Sequence, residues 1–207
     1  MENLQQALSV FTDSSELAEH LAKVLDIACE KGSISYEQVE TLIGDNGEGV
    51  LLQGWQWRLL IPRRTSRCGE WDDRILLTEP GEIYELPNIA KYLVENARNT
   101  GKWDVPNSIR ELFKIMREPA WQVMPELVAL MGRIAVDRSI SAFNIKHACR
   151  ELGLEDRVDT LIAILKGSGV MSPKLGALAA VIRTGAPLYE LNPCLYLSFG
   201  GDEENSR

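Results

Sequence analysis

Two heptapeptides in this chain are near copies of each other, IYELPNI at residues 83–89 and LYELNPC at 188–194. A second pair repeats at almost the same distance. Ser33-Ile34-Ser35 recurs as Ser139-Ile140-Ser141 at an offset of 106, and Tyr84-Glu85-Leu86 recurs as Tyr189-Glu190-Leu191 at an offset of 105. At the latter offset Leu76-Leu77 falls on Val181-Ile182, and Glu79-Pro80-Gly81 falls on Thr184-Gly185-Ala186. A period of roughly 100 residues is too long for a solenoid and suits two domains in tandem. With NTGKWDVP as the boundary, the sequence predicts a first domain over residues 1–102, a second over 103–200, and an acidic disordered tail over 201–207.

The second copy has the clearer pattern. Leu127, Leu130, Met131 and Ile134 keep a helical period behind Pro125, a residue favoured at the first helical position. Ser141 starts a short helix through AFNIKHACRELG that Gly153 ends, and Val158, Leu161, Ile162 and Leu165 mark a third helix ending near Gly167. LAAVIRTGAPLYELNP then reads as two strands about a Thr-Gly turn, closed by Asn192-Pro193. In the first copy, Asp13 with Glu16 and Ser35 with Gln38 read as capping boxes for two helices. A third helix falls in GEGVLLQGWQWRLLIP despite Gly47, Gly49 and Gly54, and RILLTEPGEIYELP reads as a hairpin turning at Pro80-Gly81. PNIAKYLVENARNTG and NSIRELFKIMRE read as connecting helices, the latter with Ile109, Leu112, Phe113 and Met116 on one face. The repeated YEL is then the last strand of each hairpin, with Tyr and Leu on one side and Glu on the other.

Helix, helix-turn-helix and hairpin, taken twice, resemble the element order of tandem winged-helix proteins, and LYELNPCLY is similar to the close of the winged-helix domains in some plasmid replication initiators. The resemblance implies a mainly α fold with small β-hairpin wings (α+β) and connecting helices. It also implies a DNA-binding protein, a transcriptional or replication-type regulator, whose third helix enters the major groove while the wing meets the backbone.

The charges argue both ways. The net charge is -8, of which residues 1–57 supply 10 acids against 2 bases. Glu155, Asp156 and Asp159 open the third helix of the second copy, where they would face phosphates and where they equally suit the positive end of a helix dipole. The first-copy helix offers Trp55 and Trp57, either core residues or a partner surface. Arg58, Arg63, Arg64, Arg67 and Arg74 form the one cationic stretch and are the candidate phosphate contacts, although Glu70, Asp72 and Asp73 lie in the same loop and suit surface ion pairs. Two functions therefore stand, a regulator binding duplex DNA and a winged-helix assembly module that binds another protein without DNA.

An enzyme is not expected. His20 and His147 are the only histidines, no nucleophile motif accompanies them, and His147 and Cys149 at i, i+2 fall on different helix faces, so neither a metal nor a cofactor is expected. Cys29, Cys68, Cys149 and Cys194 are scattered and read as reduced thiols. No apolar run approaches the ~20 residues of a membrane span, and the N-terminus lacks signal-peptide features, so a cytoplasmic address is expected. The oligomeric state is left open, a homodimer included.

Overall fold

The computed structural model describes residues 1–63, 71, 75–174 and 185–196. The described residues are mainly helical, with two small antiparallel sheets of three strands each among them. It divides into two compact units, Met1–Cys68 with Asp73–Ser108 and Gly69–Asp72 with Ile109–Arg207. The division falls inside a helix, α6 (Val105–Ile115), rather than between residues 102 and 103. The reason is local. Ser108 is buried and its Oγ donates to the carbonyl oxygens of Asp104 at 2.8 Å and Tyr92 at 3.5 Å, which holds the first turn of α6 in unit 1.

Unit 1 begins with α1 (Glu2–Leu8), a helix too short to stand out by periodicity. It buries Leu4, Ala7 and Leu8, and Asn3 Nδ2 donates to the Arg98 carbonyl at 3.1 Å in α5 (Asn88–Thr100). The central helix α2 (Ser15–Lys31) is capped by Ser14, whose Oγ accepts from the Leu17 N–H at 3.1 Å. The box expected of Asp13 and Glu16 is thus displaced by one residue, and the Glu16 carboxylate accepts from Asn46 Nδ2 instead. Ser35 and Gln38 do form a reciprocal capping box at the start of α3 (Tyr36–Ile43). The glycine-rich α4 (Gly47–Gln56) forms as well, because Val50 and Leu51 are fully buried beneath it.

SIS, which the sequence marks only as a repeat, is a strand in both units. In unit 1, β1 (Ser33–Ser35) pairs antiparallel with β3 (Ile83–Glu85), and β3 pairs with β2 (Ile61–Pro62), giving the order β1-β3-β2. Ile34 lies opposite Tyr84, and Pro62 lies opposite the other side of Tyr84. The expected Pro80-Gly81 turn is present, with Gly81 at φ 90° and the Glu82 N–H donating to the Glu79 carbonyl at 3.2 Å. Residues 75–78, expected as a strand, are not one. The edge of β3 that they would occupy is taken by β2, with the Arg63 N–H donating to the Ile83 carbonyl at 2.8 Å.

Unit 2 repeats the plan with α7 (Met124–Ile134), β4 (Ser139–Ser141), α8 (Ala142–Glu151), α9 (Val158–Gly167), β5 (Met171–Pro173) and β6 (Leu188–Leu191), in the strand order β4-β6-β5. Ile140 lies opposite Tyr189 and Pro173 opposite its other side, the register of unit 1. In both units SIS is therefore the cross-strand partner of the Tyr-Glu pair of the repeated YEL and of the residue before it. The expected strand LAAVIR lies outside the described residues, and the described partner of β6 is β5. Gly132 lets the Tyr196 ring approach closely, since a Cβ there would come within 2.2 Å of the ring. Trp71 is buried in this unit, its N–H donating to Ser172 Oγ at 3.0 Å. No helix among the described residues is long and apolar enough to cross a membrane.

Candidate functional site

The exposed side of α4 follows from its period. Val50, Leu51 and Gly54 point into unit 1, which leaves Glu48, Leu52 and Gln56 outward at one-turn spacing and Trp55 half-buried beside them. Leu52 is 44% exposed. Gly54 allows the chain to fold back at once: the Leu59 and Leu60 N–H groups both donate to its carbonyl, at 2.8 and 3.0 Å, and a Cβ would meet Leu60 at 2.8 Å. That reversal requires Arg58 at φ 53°.

The reversal also decides the fate of Arg58. It is only 9% exposed, with its guanidinium 4.8 Å over the Trp55 ring and Nη1 donating to the Trp55 carbonyl at 3.1 Å. Arg58, one of the candidate phosphate contacts, is thus a stacking and turn-closing side chain largely withdrawn from solvent. Arg63 is exposed at the end of β2, with its N–H shared between the Ile83 carbonyl and Glu82 Oε1. Arg64, Arg67 and Arg74 lie outside the described residues.

The tryptophans separate into two settings. Trp57 packs edge-on against Phe11 at 5.1 Å between ring centres, and Phe11 packs in turn against Trp103 at 4.8 Å, so Trp57 belongs to an aromatic cluster around a buried Phe11. Trp55 stays at the edge of the outward face of α4. The same neighbourhood is acidic. The Glu40 carboxylate, foremost, raises the pKa of the Tyr36 hydroxyl, and burial and the Glu48 carboxylate add to it. Glu37 Oε1 accepts from the Gly81 N–H at 2.7 Å, and its carboxyl is held below the ordinary range by its own backbone N–H, by Ser35 and by Gly81.

In unit 2, of the acids that open the third helix, Glu155 and Asp156 lie in a 3-10 turn, Glu155–Arg157, and Asp159 lies in the first turn of α9. Arg157 pairs with the buried Glu118, and Glu155 Oε2 meets Arg150 Nε at 3.2 Å. Asp159, Thr160 and Ala163 are the exposed positions at the start of α9. On α8, His147 is exposed and meets Glu151 at 3.0 Å, while Cys149 is buried among apolar residues that push its thiol pKa up. Cys29, Cys149 and Cys194 are free and buried, and Cys68 lies outside the described residues. Among the described residues no group of three His, Cys, Asp or Glu side chains is placed to hold a metal ion.

A family model matches residues 2–199, so the chain belongs to that family across both units. No curated protein and no solved structure matches the chain.

Proposed function

We propose that this chain is a tandem winged-helix protein whose role is assembly: it binds another protein through the outward faces of its third helices. The element order and the strand orders β1-β3-β2 and β4-β6-β5 support the winged-helix reading. The observation that carries the function is the outward face of α4, where Glu48, Leu52 and Trp55 stand where a groove-reading helix needs bases and amides. An exposed leucine beside a half-buried tryptophan is the composition of a protein contact. The role is non-catalytic, and a cytoplasmic address belongs to the same reading.

Duplex DNA is the second reading, favoured by the exposed Arg63 and the arginines that follow it in sequence. Anisotropy with a mixed duplex at low salt separates the two. Assembly predicts no binding there, where electrostatic attraction is greatest, together with loss of a captured protein from lysate on Leu52→Asp. DNA binding predicts instead a salt slope that falls by about 2 to 3 when Arg63, Arg64 and Arg67 become alanine. Salt-sensitive duplex binding by wild type, with capture unaffected by Leu52→Asp, would replace the first reading by the second.

A further inference from the structure

At one repeat-related position the two units carry opposite charge, Lys146 on α8 against Glu40 on α3. On α8, Phe143, Lys146, His147 and Arg150 are all exposed and recur at i, i+3, i+4 and i+7, a single outward stripe, while Ile145, Ala148 and Cys149 are buried on the opposite side. Phe143 is 71% exposed, among the most exposed large apolar side chains described. At the repeat offset of 106, Phe143 and Lys146 fall on Glu37 and Glu40 of α3. Glu40 is exposed on α3 and Glu48 on α4, and Leu52 lies one turn along α4 from Glu48. One unit thus presents an aromatic side chain with cations, and the other an exposed leucine with carboxylates.

We propose that the chain associates with a second copy of itself head to tail, the α8 stripe of one molecule seating on the α3–α4 face of the next. Phe143 covers Leu52 and the edge of Trp55, and Lys146 and Arg150 face Glu40 and Glu48. His147 already meets Glu151 at 3.0 Å, and Arg150 meets Glu155 at 3.2 Å. Such exposed pairs are worth little, so exchanging them for carboxylates on a neighbour costs little. Because the two faces differ, a single contact leaves one open face of each kind, and repeating it either closes a ring, of two copies or more, or extends into chains. The inference rests on the assembly reading and names one partner for it.

Sedimentation velocity of the full chain tests this, over about 1 to 100 μM protein at low and at high salt. Wild type is expected to sediment faster as concentration rises at low salt, with affinity at least tenfold weaker near 0.5 M salt, where exposed charges are screened. Lys146→Glu with Arg150→Glu abolishes association, and so does Glu40→Lys with Glu48→Lys. A mixture of the two variants associates again, because each retains the native face that the other lacks, and this recovery also shows that both are folded. Phe143→Ser weakens association at both salt concentrations. A wild type that is monomeric throughout at low salt, or reversed variants that associate singly as wild type does, would overturn the proposal. If wild type is monomeric but Leu52→Asp still loses a captured protein, self-association alone fails. If capture is also unaffected and duplex DNA binds, the assembly reading fails with it.

Discussion

Glu118 shows how much one residue can hold. Its side chain is fully buried just beyond α6, where Oε1 accepts from the Ala120 N–H at 3.0 Å and Oε2 from Arg157 Nη2 at 3.1 Å, with Arg157 Nη1 bonded to Oε1 as well. The pairing raises the Arg157 pKa, its hydrogen bond to Glu118 being the main cause. Removing the arginine leaves a buried carboxylate with a lost countercharge, the costly way to break such a pair. Arg157→Met is therefore expected to destabilise by about 2 to 4 kcal/mol, read from the urea midpoint at constant m-value. A loss below about 0.5 kcal/mol, the range of an exposed pair, would show that water compensates the carboxylate. Neither residue is singled out by sequence: Arg-Glu-Pro at 117–119 and Glu-Asp-Arg at 155–157 look like solvated charge until the fold brings them together.

Among the elements, α3 and the turn after residue 78 are held by a single carboxylate. Glu37 sits in the first turn of α3, accepts from the Gly81 N–H, and has its pKa lowered by those contacts. A carboxyl whose folded pKa lies below its unfolded value contributes stability that is fully present above the unfolded pKa, about 4.3, and lost as pH falls through the folded value. Glu37→Gln should therefore lower the thermal midpoint near pH 6 and shrink the further drop between about pH 5 and pH 3. An unchanged pH profile would assign that drop to other carboxylates. The capping box of Ser35 with Gln38 and the Pro80-Gly81 turn were legible in sequence because both are local, closing within four residues. The partner of β3 was not legible, because Ile61–Pro62 is separated from it by 20 residues of sequence and only a hydrogen-bonding register selects it.

At the scale of the whole molecule, the division into two units carries a dynamic expectation. Each unit has its own buried set, Leu21, Leu25 and Tyr84 among the residues of the first, and Leu127, Leu161 and Tyr189 among those of the second. Amide exchange should then respond locally, since cooperative opening follows contiguous packed elements. Arg157→Met is expected to speed exchange in α7, α8 and α9 while leaving α2 and α3 at wild-type protection. Equal acceleration in both units would mean one cooperative core.

The sequence by itself marked the repeat, most of the helices and the strand that ends each repeat, because periodicity, caps and turn residues act over a few positions. It also placed the acids that open the third helix of the second copy. Tertiary structure alone decided that SIS is a strand and that it pairs with the strand carrying Tyr-Glu of YEL, in the same register in both units. The third helices and the strands β2 and β5 are related by an offset of 111, against 106 before them and 105 after. A longer turn before α9 and a shorter stretch before β6 nearly cancel, so the repeat shows at its two ends and is hidden in its middle. Tertiary structure decided Arg58 as well. Five arginines in one stretch read as a cationic loop, but the close approach at Gly54 turns the chain so that Arg58 stacks on Trp55 and is withdrawn from solvent. Charge is a property of the residue, whereas its availability to a ligand is set by the packing around it, and packing depends on residues that no local pattern connects.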